Sequence, residues 1–253
     1  MTVSTLFNAL LIGVFAAAPI VFVSLLFSTA QYGRHNRKTS GPSLPTRAAW
    51  VYMECPSVFA FGYFFLTAPN AFQLTPFLLF VLWESHYAQR TLVYPFIMRV
   101  RKGDSMPIAI ATSGFVFNTV NSYLNASWIG RFGEYPTAWL TDPRFLAGVA
   151  LFVAGYVINR SSDAILRNLR KPGETGYRIP QGGLYGLISC PNYFGELVIW
   201  TGWTIATWSL AGLSFAVFTA ANLVPRALAN HRWYKNTFAE YPSERRAVFP
   251  FVL

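Results

Sequence analysis

Seven stretches of this chain are long and apolar enough to be read as membrane spans: residues 6–27, 48–68, 73–98, 107–128, 145–162, 193–209 and 211–228. Crossing a bilayer takes about 20 mainly apolar residues. Within hydrocarbon every backbone N–H and C=O needs a partner inside the protein, so segments of this length must be helical. The pattern predicts an all-α integral membrane protein with seven transmembrane helices. The last two runs are joined tightly by "WSLAG", which predicts a helical hairpin. Composition agrees. The chain is 53% hydrophobic and 12% charged, against roughly 25% charged residues in soluble domains. The first run is too long for a signal-peptide core and lacks a basic flank, so it is expected to remain as the first span.

The basic residues then set the orientation. Arg34, Arg37, Lys38 and Arg47 follow the first run, and Arg99, Arg101 and Lys102 follow the third. Arg160, Arg167, Arg170, Lys171 and Arg178 follow the fifth, and Arg226, Arg232, Lys235, Arg245 and Arg246 follow the seventh. The opposite side holds only Arg131 and Arg144, and Arg90 lies within a run. With the positive side inside, the N-terminus faces out and the C-terminus lies in the cytoplasm. A net charge of +10 on so apolar a chain points to a cytoplasmic leaflet or an anionic ligand, and nucleic acid is not expected as a partner. The two cysteines, Cys55 and Cys190, form no metal or disulfide pattern, and the three histidines are not at metal-ligand spacing, so no metal is expected. No internal repeat is visible, which argues against the repeat-built transporters.

Several polar residues sit where an apolar run should not hold them. Ionisable groups in hydrocarbon cost a few kcal/mol each, so they mark function by default. Glu54 lies deep in the second run beside Cys55-Pro56, and Pro56 cannot donate to the carbonyl of Tyr52, so a kink is expected there. The third run carries "LWESHYAQRTLVYP". At helical spacing Trp83, Tyr87, Arg90 and Tyr94 share a face, flanked by Glu84 and His86. The fourth run has a stripe of Asn118, Asn121 and Asn125, for which interhelical hydrogen bonding is the plainer explanation. "NAS" at 125–127 matches the glycosylation pattern but is a common chance match.

The longest polar stretch, 159–192, holds Asn159, Asp163, Arg167, Arg170, Lys171, Tyr177, Arg178 and Asn192. Asp163, Arg167 and Arg170 fall on one helical face. Guanidinium forks suit phosphates and a carboxylate suits ribose hydroxyls, which is what a phosphorylated nucleotide requires. "QGGLYG" is glycine-rich but is neither a Rossmann fingerprint nor a P-loop. In the tail, Asn230, His231 and Tyr234 are candidates to close over a ligand. On residues alone, an oxidoreductase competes with a membrane methyltransferase binding S-adenosylmethionine. A transporter with Glu54, Arg90 and Glu196 along its pathway is the third alternative.

"LRKPGETGYRIPQGGLYGLISCPNYFGE", "ATWSL" and "HRWYKNTFAEYPSERRAVFPFVL" closely resemble the steroid 5α-reductase family, as do "ESHYAQRTLVYP" and "NRSSDAILRNLRKPGE". The resemblance is strongest from about Glu84 onward, and the first 45 residues carry little of it. It implies a seven-helix membrane enzyme, one domain over 1–253. The substrate pocket would come mainly from the first four helices, and the cofactor pocket mainly from 90–128 and 159–240.

The implied reaction is NADPH-dependent reduction of the Δ4 double bond of 3-oxo-Δ4 steroids. The implied catalytic pair is Glu54 and Tyr87. Implied cofactor contacts are Arg90, Tyr94, Arg101, Asn121, Asn159, Asp163, Arg170, Tyr177, Arg178, Asn192, Glu196, Asn230 and Tyr234. The chain departs from relatives that carry a histidine run where it has "ANHRWY", and from those with "GEIIEW" where it has "GELVIW". An apolar, steroid-like substrate is expected to arrive from the lipid phase, and a monomer suffices. Related membrane reductases acting on a polyprenol or an enoyl thioester would use the same cofactor. Short length and the lack of an organelle signal point to a bacterial member, hence the inner membrane; a eukaryotic member would lie in the endoplasmic reticulum.

Overall fold

The structure, a computed structural model, describes residues 2–28, 41–100, 103–169, 174 and 176–253. Arg101 and Arg170 lie outside the described residues. Helices dominate: α1 (Val3–Phe27), α2 (Thr46–Glu54), α3 (Pro56–Leu66), α4 (Leu74–Ala88), α5 (Tyr94–Ile97), α6 (Ile108–Ser127), α7 (Pro143–Asn168), α8 (Pro191–Thr207) and α9 (Leu210–Thr237). Among the described residues the only sheet is a two-stranded clip, in which β1 (Ser43–Pro45) runs antiparallel to β2 (Ser105–Pro107). Among the described residues four segments, α1, α2 with α3, α7 and α9, are long and apolar enough to cross a bilayer, against the seven spans expected. Large apolar side chains such as Phe27, Ile12, Ile20 and Phe96 are exposed, which is the surface expected of a protein solvated by lipid. All seven expected runs are helical, and α7 and α9 extend well past the expected ends at residues 162 and 228.

The chain divides into two compact units. The first comprises Met1–Gly13, Ala30–Leu146 and Thr207–Gly212. Its centre is the broken span α2–α3 against α6, where Tyr52 stacks on Phe115 with ring centres 4.8 Å apart. On the other side of α3, Phe61 stacks on Trp83 of α4 at 4.3 Å and Phe65 stacks on Phe80 at 4.6 Å. The break falls where expected, at Cys55-Pro56. Proline leaves the Tyr52 carbonyl without its usual donor, and the Cys55 thiol donates to it instead at 3.2 Å.

The third expected span is not one regular helix. A π-helical turn over Gln89–Val93 separates α4 from α5. Its cause is Pro95, which can neither donate to the Thr91 carbonyl nor pack its ring there. A second π turn, Trp128–Phe132, ends α6. Near the start of α7, Arg144 donates to Asp142 through both backbone and side chain, which holds that carboxyl down at about 2. The expected hairpin between α8 and α9 turns on Trp208 in a left-handed conformation with φ of 45°. There the Ser209 hydroxyl accepts from the Gly212 amide at 2.9 Å and caps α9.

The second unit comprises Val14–Thr29, Ala147–Ala206 and Leu213–Leu253. Here α7 and α8 approach until backbone meets backbone. A methyl group added at Gly155 would lie 2.6 Å from the Ile199 nitrogen, and one at Gly195 would lie 2.6 Å from the Asn159 nitrogen. A methyl group added at Gly148 would likewise run into the Ala206 nitrogen, and one at Gly202 would lie 2.5 Å from the Phe152 nitrogen. Small residues let helices in lipid pack this tightly, with gains from dispersion and Cα–H···O contacts. After α9 the tail folds back on the segment preceding α8. Ser189 and Cys190 donate their amides to the carbonyls of Arg246 and Ala247, and Arg246 donates to Leu187.

Overpacking a tight core typically costs about 1–3 kcal/mol, and more where backbone must move. Gly155→Ala and Gly195→Ala should each lower the thermal midpoint in detergent by several degrees. Gly186→Ala, whose added methyl meets nothing within 4 Å, should leave the midpoint unchanged within a degree or so.

Candidate functional site

The break in α2–α3 builds the first cluster. Carbonyls near a proline break are open to side-chain donors. Asn118 of α6 donates to the Met53 carbonyl at 2.8 Å, and Ser122 donates to that of Pro56 at 3.0 Å. Trp83 of α4 donates through its indole to the Ser57 carbonyl at 2.8 Å, and Thr91 donates to that of Glu54 at 3.4 Å. Glu54 sits at the end of α2 with its side chain 6% exposed. Its Oε1 accepts from Arg90 Nε at 3.0 Å, and its Oε2 accepts from Asn118 Nδ2 at 3.4 Å. The π turn delivers Arg90 to this carboxylate. The guanidinium also lies 5.0 Å over the ring of Trp50, against which Tyr94 packs edge-on at 5.6 Å.

Tyr87 is buried, with its ring 4.9 Å from that of Trp83 and 5.1 Å from that of His86. Asn121 is buried on α6. Its oxygen accepts from Asn125, while its Nδ2 has no acceptor among the described residues. The amide of Asn125 is thus committed inside the protein, which agrees with discounting the glycosylation match.

The glycine contact builds the second cluster. It holds the polar faces of α7 and α8 together as a ladder. Asn159 donates from Nδ2 to the Asn192 carbonyl and to Glu196 Oε1, both at 3.1 Å. Asn192 donates to Asp163 Oδ1 at 3.2 Å, and the Trp200 indole donates to Glu196 Oε2 at 3.0 Å. Beyond the ladder, Nη1 of Arg160 and Nη1 of Arg167 are each sealed from solvent without an acceptor among the described residues. Tyr177 packs edge-on to Trp233 at 4.9 Å, and Arg178 pairs with Glu174 at 3.0 Å. Asn230 donates to the Cys190 sulfur at 3.7 Å, and Tyr234 stacks on Tyr241 at 5.2 Å.

The structure therefore brings Glu54, Arg90 and Tyr94 together in the first unit, the last two through Trp50. It brings Asn159, Asp163, Asn192 and Glu196 together in the second. Sequence reasoning missed Trp50 and underrated Asn118. It missed the knot in which Ser189 bonds His231 at 2.6 Å and Tyr241 at 2.7 Å. It also missed Arg245, buried, which donates to the Pro180 carbonyl at 3.0 Å and to Gln181 at 2.8 Å. Asn118 stood in a visible stripe. Ser189, Tyr241 and Arg245 meet only through the returning tail, so no local spacing could pair them.

Removing one partner of a buried ion pair typically costs about 3–5 kcal/mol, because the other charge is left uncompensated. Arg90→Ala should accordingly lower the thermal midpoint strongly, and Glu54→Gln combined with Arg90→Met should recover most of the loss. A double variant no more stable than Arg90→Ala would contradict the pairing.

A family model described as 3-oxo-5-alpha-steroid 4-dehydrogenase matches residues 104–253. Over 242 residues the chain is 42% identical to 3-oxo-5-alpha-steroid 4-dehydrogenase 1 of Bos taurus, covering 94% of this chain and 93% of that one. It is 39% identical to steroid 5-alpha-reductase DET2 of Gossypium hirsutum, covering 98% of each. With 3-oxo-5-alpha-steroid 4-dehydrogenase 1 of Homo sapiens it shares 42% identity over 92% of this chain and 90% of that one. These relatives are eukaryotic and lend the expected bacterial origin no support.

Proposed function

This chain belongs to the 3-oxo-5-alpha-steroid 4-dehydrogenase family, and on that premise we propose that it reduces the Δ4 double bond of 3-oxo-Δ4 steroids to 5α-reduced 3-oxo steroids, with NADPH as reductant. The observation that carries the reading is the buried Glu54 carboxylate, held by Arg90 and Asn118 in a proline-broken span. A membrane helix keeps such a group only for a purpose.

Reducing an enone builds negative charge on its carbonyl oxygen, and a fixed hydrogen-bond donor at that oxygen lowers the barrier. Tyr87 is that donor, its ring packed against those of Trp83 and His86. Glu54 is its positioning residue, itself fixed by two donors. NADPH, when bound, supplies the hydride that C5 of the steroid takes, and C4 then takes a proton, with water as its source. Asn159, Asp163, Asn192 and Glu196 serve the nucleotide, with Tyr177, Arg178, Asn230 and Tyr234. Arg90, Tyr94 and Asn121 are assigned to it too, as are Arg101 and Arg170. Within the second unit, the unmatched buried donor on Arg167 suits a ligand rich in phosphate oxygens.

Residues 1–253 are read as one reductase domain. It spans the membrane seven times with the N-terminus outside and the C-terminus in the cytoplasm, where a soluble cofactor is available. The steroid arrives from the lipid phase, and a monomer is sufficient.

Purified protein in detergent should oxidise NADPH on addition of testosterone or progesterone. Tyr87→Phe should lower kcat by about 10²–10³, as loss of one oxyanion donor does, and Glu54→Gln should impair turnover as well. Wild-type turnover by Tyr87→Phe would exclude its role. NADPH oxidation that ignores both steroids would exclude the proposed substrate class.

A further inference from the structure

The ladder between α7 and α8 leaves two guanidinium groups to one side. Arg160 and Arg167 stand seven residues apart on α7, which places them on one face, about 10 Å apart along the axis. Their long side chains can converge on one anion between them. Both Nη1 atoms are buried without an acceptor among the described residues. A buried donor left unmatched is costly, and more so on a charged group. Three of the ladder's four acidic oxygens are engaged elsewhere: Asp163 Oδ1 accepts from Asn192, and the two Glu196 oxygens accept from Asn159 and Trp200. At 100° per residue, Asn159, Asp163, Arg167 and Arg160 follow one another around about a quarter turn of the helix. The two cations therefore extend the ladder rather than form a separate patch.

Two guanidinium forks ask for an oxyanion of high charge with several acceptor oxygens. A phosphate monoester meets that need, with close to two charges at neutral pH and three acceptor oxygens. We propose that Arg160 and Arg167 together form a phosphate-monoester site, and that in the reductase it takes the ribose phosphate that distinguishes NADPH from NADH. The inference rests on the function proposed above. It makes Arg160, to which neither the motifs nor the family resemblance assigns a role, a residue that determines cofactor specificity.

The test uses the whole chain in detergent and two probes, 2′,5′-ADP and 5′-AMP, which differ by that phosphate. Their affinities are read from thermal stabilisation, which requires no turnover. Wild type should bind 2′,5′-ADP more tightly than 5′-AMP. Arg160→Gln and Arg167→Gln should each lose about tenfold in affinity for 2′,5′-ADP and keep the affinity for 5′-AMP, which also shows that the variants are folded. Arg160→Lys should retain part of the preference. In turnover, the ratio of kcat/KM for NADPH over NADH should fall by a similar factor. Equal weakening of both probes, or of neither, would overturn the proposal. Stabilisation by phosphatidic acid in nanodiscs that depends on Arg160, without discrimination between the nucleotides, would reassign the site to a lipid headgroup and overturn the cofactor assignment. Discrimination between the probes without steroid-dependent NADPH oxidation would support this site while refuting the reaction.

Discussion

The approach of α7 and α8 to backbone contact is the constraint on which the second unit depends. Four glycines make it possible, two on each helix and each pair seven residues apart. In lipid there is little hydrophobic gain from bringing helices together, so dispersion and polar contacts at short range have to hold them. Without side chains between them, Asn159 reaches across to Asn192 and Glu196, and Asn192 reaches Asp163. A wider separation would put these groups beyond hydrogen-bond distance and leave carboxylates and amides unmatched in a poorly solvated place. The packing motif and the polar motif are thus one device, in which the glycines set the distance and the amides use it.

The first unit solves a different problem with proline. Pro56 removes one backbone donor and opens several carbonyls to side chains from α4, α6 and the π turn. Pro95, further along, is the reason for that π turn, which brings Arg90 to Glu54. Two prolines therefore place a carboxylate and its counter-ion together within a mainly apolar layer. Arg90 was expected to meet the cofactor; the structure shows it answering the charge of Glu54. An arginine that pairs with the carboxylate and lies over the Trp50 ring is held from two sides, a rigidity that would suit the role proposed for Tyr87, a donor that must stay aimed while charge develops on a substrate oxygen.

Much of this was legible in the sequence because it follows from local chemistry. The helical runs, the break at Pro56 and the hairpin at Trp208-Ser209 all come from period, composition or a single residue's geometry. The π turn was not, because a face drawn through Trp83, Tyr87, Arg90 and Tyr94 assumes a regular 3.6-residue period, and Pro95 breaks that period one turn before itself. The glycine contact was also missed. Gly148, Gly155, Gly195 and Gly202 are ordinary in an apolar run until two helices are known to be partners. The tail knot of Ser189, His231 and Tyr241 joins residues more than forty positions apart, and no spacing rule spans that distance.

In the proposed reduction C5 takes hydride from the nicotinamide, a hydrogen-bonded carbonyl holds the developing charge, and C4 is protonated from solvent. Turnover of a Δ4-3-ketosteroid with NADPH deuterated at the transferred position, followed by NMR of the product, tests it directly. The account predicts one deuterium at C5 in the α configuration and none at C4, with solvent deuterium appearing at C4 when the reaction is run in heavy water. Deuterium from the cofactor at C4, or at C3 as a reduced carbonyl with the double bond intact, would contradict it.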